Sequence, residues 1–147
     1  MSLSDWEKNG WLKIHRTSRD EIQNLLMIVK RDLKDSQVTE ITNDWRFVIA
    51  YNAALNICTI ALYSMGYKPS RSQSEHYRVI QSLVLTLGVE HEDIRDYLNN
   101  CRAKRNISDY DMAGTISINE VQELIKITNE LFEHLLDWLE QNFPQYL

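Results

Sequence analysis

From Ser18 onward, the apolar residues of this chain recur on a helical period. Ile22, Leu25, Leu26, Val29 and Leu33 share one helix face, which predicts a first long helix to about Lys34. Ser18 and Glu21 stand at its start with the spacing of a reciprocal capping box. A second long helix is predicted from about Thr42 to Met65, with Gly66 as a left-handed stop. Trp45, Val48, Ile49, Leu55, Ile57, Ile60, Ala61 and Leu62 cover most of its circumference, the mark of a central helix. Asn52, Asn56, Thr59 and Tyr63 form its polar stripe. Tyr67 to Ser74, with Pro69 and several serines, reads as a loop.

A shorter helix is predicted from about Glu75 to Leu87, ended by Gly88, and another from near Glu90 to at least Arg105. Asp109 to Thr115 reads as irregular, with Gly114 as the turn residue. Ser117 and Glu120 make a second capping box, opening a last helix to about Gln141. Val121, Leu124, Ile125, Leu131, Phe132, Leu135, Trp138 and Leu139 face inward on it, and Glu123, Glu130, Glu133 and Asp137 form a solvated acidic face. The first 16 residues, with Trp6, Trp11, Leu12 and Ile14, predict a short turn of helix packed over the rest. The expected fold is all-α: an antiparallel bundle of about five helices in a single domain over residues 1–147.

Composition agrees with this pattern. The chain has 147 residues, the size of one domain, and its 44% hydrophobic content fills one core. Only 4 Gly and 2 Pro are present, too few for the turns of an all-β sandwich. The net charge of −5 argues against general binding to nucleic-acid backbone and leaves room only for a local basic patch. Cys58 and Cys101 lie in helical patterns without a paired short spacing, so free thiols in a reducing compartment are expected. No apolar run opens the chain, and Asn52, Asn56 and Thr59 interrupt the most apolar stretch. The expectation is a cytoplasmic protein with neither signal peptide nor membrane span.

The segment from Asn100 to Asp111 carries the candidate chemistry. At 100° per residue, Ile94, Leu98, Cys101 and Arg105 fall on one stripe, which sets Arg105 in line with core-facing residues. A guanidinium there needs a carboxylate, carbonyls or a wet cleft. Asp109, Asp111 and the Asn52–Asn56 stripe are the candidate acceptors. Arg105 then serves either as a structural ion-pair member or as an arginine presented to a phosphate. Arg102 and Lys104 flank it in a small cationic cluster. His76 shares the stripe of Ile80, Leu83 and Leu87: a half-buried, hydrogen-bonded histidine, or a proton-transfer group. His15, His91 and His134 lack metal-ligand spacing, and no phosphate loop or nucleophile elbow occurs, so no metal or cofactor is expected. Tryptophans and tyrosines at helical spacing read first as core.

The run Arg102-Ala103-Lys104-Arg105-Asn106-Ile107-Ser108-Asp109-Tyr110-Asp111 resembles the signature of HEPN domains, small helical bundles widespread in bacteria and archaea. Further segments resemble one bacterial branch of that superfamily: Gly10-Trp11-Leu12-Lys13, Asp44-Trp45-Arg46-Phe47, Tyr51-Asn52-Ala53-Ala54, Gly66-Tyr67, His76-Tyr77, and Ala113-Gly114-Thr115-Ile116-Ser117. The resemblance covers nearly the whole chain. It implies a homodimer whose arginine-bearing helices meet in a cleft between subunits. Many HEPN proteins are metal-independent ribonucleases or toxins; others bind nucleotides or pair with small nucleotidyltransferases. The ribonucleases carry Arg, a polar residue, and a His four to six positions after the Arg. Arg105 and Asn106 match the first two, but Asp109, Tyr110 and Asp111 stand where the His is expected.

The resulting expectation is a non-catalytic HEPN module. It would bind a nucleotide, RNA or a nucleotidyltransferase partner through a homodimer cleft, as in toxin–antitoxin type systems. Arg102, Lys104, Arg105, Asn106, Asp109, Tyr110, Asn52 and Asn56 are its candidate binding residues. The alternatives are a divergent ribonuclease using Arg105 with Tyr110 or His76, and a purely structural dimer.

Overall fold

The first three helices and the last begin where a short polar side chain satisfies an unpaired backbone N–H group. In the computed structural model, which describes residues 1–106 and 113–147, α1 spans Leu3–Lys8. Its Ser2 cap is reciprocal: the hydroxyl accepts from the Asp5 N–H, and the Asp5 carboxylate accepts from the Ser2 N–H. Helix α2 (Arg19–Asp35) begins at Ser18, whose hydroxyl accepts from the Glu21 N–H. The predicted second half of that box does not form. Glu21 turns its carboxylate to His15 and the Thr17 hydroxyl instead, at 2.6 and 2.7 Å. Helix α3 (Asn43–Ser64) starts on a Thr42 cap and ends at Gly66, which takes φ +91°, a conformation that favours glycine.

Between α1 and α2 lies a three-residue strand, β1 (Leu12–Ile14), and after α3 comes β2 (Tyr67–Pro69). They pair antiparallel, Leu12 with Pro69, Lys13 with Lys68 and Ile14 with Tyr67. The predicted loop from Tyr67 thus begins as half of a ribbon. The single helix expected over Glu75–Leu87 is two, α4 (Glu75–Gln81) and α5 (Leu83–Thr86). Buried Ser82 separates them, and its hydroxyl donates to the Val79 carbonyl at 2.6 Å, a local bond that competes with the helical ladder. A 3-10 turn at Val89–His91 leads into α6 (Glu92–Asn106). Helix α7 (Ile118–Asn142) opens on the complete Ser117–Glu120 capping box, and a last 3-10 turn, Pro144–Tyr146, follows.

Helix α3 forms the centre of this all-α bundle, packing against α2, α4, α5, α6 and α7. Phe47, Ala50, Ala53, Ala54, Ile57, Cys58, Ile60, Ala61 and Leu62 are all buried on it. It is long and apolar enough to cross a membrane by length and composition, but most of it is covered by the other helices, as befits a core helix. Trp45, expected inside, is 60% exposed. It lies in the first turn of α3, two residues and 200° from inward-facing Phe47, so it points away from the core. The N-terminal segment does lie over the bundle. Trp6 and Trp11 pack edge to face, and the Arg78 guanidinium of α4 sits 4.2 Å from the Trp11 ring centre and 5.3 Å from that of Trp6.

Candidate functional site

Helix α6 separates its basic residues. On one face Arg102, Arg105 and Asn106 line a cleft of about 340 Å³ with Ser72, Gln73 and His76 of the preceding segment. On the opposite face Lys104 ion-pairs with Glu120 of α7, beside a larger cavity of about 430 Å³ walled by Phe47, Tyr97, Cys101 and Ala103. Lys104 therefore does not belong with the two arginines: the 100° step places it about 160° from Arg102. Arg105 keeps the inward tendency read from its stripe and is half-buried beside buried Leu98 and Cys101. Its guanidinium carbon lies 6.0 Å from the Tyr51 ring centre, and its Nη1 donates weakly to Asn106 Oδ1 at 3.4 Å. Arg102 donates to Asn99 at 3.1 Å and lies 5.5 Å from the Tyr77 ring centre.

His76 reaches the same cleft from α4. Part of its surface is open to solvent, because core positions on that helix fall to Val79 and Ile80, while its ring packs against Tyr51 and is partly covered. Its Nδ1 stands 3.3 Å from the Tyr51 hydroxyl. Tyr51 is 2% exposed, and burial drives its phenol pKa far up in spite of Arg105 and Arg102 nearby, so the phenol keeps its proton. The arrangement that satisfies both groups has the phenol O–H donating to Nδ1. Neutral His76 then carries its proton on Nε2 and offers the cleft a donor. Its pKa is lowered, first by burial and next by Arg105, with Arg102 adding to this and Glu75 opposing it. The ring is accordingly neutral at pH 7.

A second, smaller cavity of about 180 Å³ continues from His76 and Arg105 to Asp32, Tyr51 and Asn52. Asp32 is buried on α2, bonded to Arg31 Nε at 3.0 Å and accepting from the Asn52 amide at 2.6 Å. Asn52 thus belongs to the site through this carboxylate. Asn56 does not: its amide donates to the Asn52 backbone carbonyl, and it lines neither cavity around Arg105. Asp109, Tyr110 and Asp111 lie outside the described residues.

Several residues of the site escaped the sequence reading: Ser72 and Gln73 fell in the expected loop, and Tyr51 and Asp32 were not singled out. Tyr51 was hidden in a helix apolar on most sides, where a tyrosine reads as core. Asp32 did leave a signal: it follows Leu25 and Val29 at helical spacing, an acid on an apolar stripe. The thiols take no part. Both cysteines are buried and free, and burial pushes Cys58 up to about 12 and Cys101 up to about 11, leaving neither as a thiolate nucleophile. Among the described residues no group of three or more His, Cys, Asp or Glu side chains could hold a metal ion.

The cleft therefore gathers two guanidinium groups, an imidazole donor and the amides of Gln73 and Asn106 against the one carboxylate of Glu75, on a chain of net charge −5. Such a set can grip a phosphate or carboxylate. No protein-family model matches the chain, and no curated protein or solved structure matches it significantly.

Proposed function

We propose that the chain is a HEPN-type module, cytoplasmic and homodimeric, that holds the phosphate of a nucleotide or of RNA in the cleft of Arg102, Arg105 and His76 without cleaving it. The observation that carries this reading is the Tyr51–His76 contact beside Arg105. A buried phenol that donates to Nδ1 makes His76 a donor toward the cleft. General-base catalysis would need the opposite tautomer, with a free lone pair on Nε2. The paired arginines supply charge, and Asn106 supplies a neutral amide. The homodimer and a place in a toxin–antitoxin type system follow from the resemblance of the Arg102–Asp111 run to HEPN domains. In that setting a small nucleotidyltransferase is the protein partner to look for.

Titration of the purified protein with AMP and with a short single-stranded RNA tests the reading. Saturable binding is expected, weakened about tenfold or more in Arg105→Ala, as for one lost charge-assisted contact. The melting temperature should change little, because Arg105 is only half-buried. Unchanged affinity in a folded Arg105→Ala protein would sink the proposal. A loss of roughly 3 to 5 kcal/mol in stability without any ligand effect would point instead to a structural ion pair.

One observation favours a second reading, a divergent metal-independent ribonuclease. His76 enters the cleft of Arg105 from another helix, where it could replace the histidine missing after Asn106. RNA cleavage in the presence of a chelator, lost in both Arg105→Ala and His76→Gln, would establish it.

A further inference from the structure

Beside the cleft of His76 lies another cavity of about 340 Å³, bounded by Lys13, Lys68 and Arg71 together with Tyr63 and Glu75. Lys13 and Lys68 are direct cross-strand partners in the β1–β2 ribbon. Like charges placed directly opposite each other destabilise an antiparallel pair, so the ribbon holds them there against their mutual repulsion. Among the described residues none of Lys13, Lys68 and Arg71 lies within 4.0 Å of a carboxylate. Glu21, whose charge Lys68 also feels, is engaged by His15 and Thr17. Three cations thus face one cavity on an acidic chain, and Glu75 is the single acid on its wall.

This cavity adjoins the first. Glu75 lines both, and the chain crosses from one to the other between Arg71, which faces the ribbon side, and Ser72, which faces the His76 side. With Glu75 as a common wall, the two openings are neighbours. We infer that the β-ribbon carries a second anion subsite, and that the ligand of the Arg105 cleft bears at least two linked phosphates. One phosphate sits between Arg102, Arg105 and His76, and the next is held by Lys13, Lys68 and Arg71. The inference rests on the phosphate-binding reading of the first cleft and adds the length and charge of the ligand. Two linked phosphates occur in a nucleoside diphosphate and in a phosphorylated dinucleotide, and the two place the second phosphate at different distances.

The test compares AMP, ADP and the 5′-phosphorylated dinucleotide pApA on wild type, on Lys13→Gln/Lys68→Gln, and on Arg71→Gln as an independent loop variant. In the double variant, ADP or pApA should bind about tenfold more weakly while AMP is unaffected. Whichever two-phosphate ligand shows the loss is the one whose spacing fits. The affinity for that ligand should also fall less steeply with added salt in the double variant than in wild type, because fewer charged contacts are left to screen. Equal losses for all three ligands, or no loss in either variant, would overturn the ribbon subsite. If Arg105→Ala still weakens all three, the first cleft stands and only the subsite falls. If Arg105→Ala also changes nothing, both fall together.

Discussion

His76 owes its character to two neighbours. The buried Tyr51 hydroxyl favours the tautomer with its proton on Nε2, and Arg105 helps hold its pKa below the ordinary 6.5, next after burial. A bound phosphate would favour the imidazolium, so the bound protein should have the higher His76 pKa and take up a proton on binding. Affinity for AMP is therefore expected to rise as pH falls from about 7.5 to about 5.5, by up to tenfold per unit of pKa difference. The second ionisation of the phosphate, near 6, acts on every variant alike. The rise attributable to the ring is the difference between wild type and His76→Gln, measured by titration calorimetry. Identical pH profiles would mean that the ring does not touch the ligand. At this scale Arg105 was legible because three residues of its stripe are apolar. Tyr51 was not, since nothing local distinguishes a core tyrosine from one whose hydroxyl reaches a cleft.

The helices were legible because their signals are local: a period of apolar residues, a capping side chain at one end and a glycine at the other. Gly66 at φ +91° and Gly88 at φ +124° end their helices as read. The β-ribbon left no such signal. Three residues are too few to show alternation, and the two strands are far apart in sequence. The two predicted capping boxes diverged for a similar reason. At Ser117 the reciprocal bond takes one Glu120 carboxylate oxygen and Lys104 the other, so both form, whereas Glu21 is drawn to His15, which the ribbon carries into reach: the His15 N–H donates to the Gly66 carbonyl just past the paired residues. Replacing the intact cap, Ser117→Ala, should lower stability by about 1 kcal/mol in urea unfolding. Glu120→Ala should cost more, because it removes both the return bond of the box and the ion pair to Lys104 that ties α7 to α6. Equal costs would show that this pair contributes nothing.

Over the whole molecule, the ionisable groups set a pH range for stability. His76 and His91 both have pKa values lowered mainly by burial, and for His91 the nearby His134 also lowers it while Glu90 opposes. The unfolded chain therefore binds protons more readily below about 6.5. Stability is full above that pH and is lost as pH falls through the depressed values. Glu21 adds a later stage. Burial works against its charge, but the Thr17 hydroxyl and His15 hold its carboxyl below 4.5, so its contribution disappears in still more acid solution. Melting temperature against pH is expected to be flat above 7 and to decline in two steps below, with the first step reduced in His91→Gln. A melting temperature that rises on going from pH 7 to pH 5.5 would contradict this. By itself the sequence determined the all-α class, the central place of α3 and the inward stripe of Arg105, because periodicity and capping are properties of neighbouring residues. The tertiary structure decided which side chains share a cleft. It set Lys104 apart from the arginines, joined His76 to Tyr51 across two helices, and brought Lys68 opposite Lys13, since each contact depends on packing between segments that no local pattern encodes.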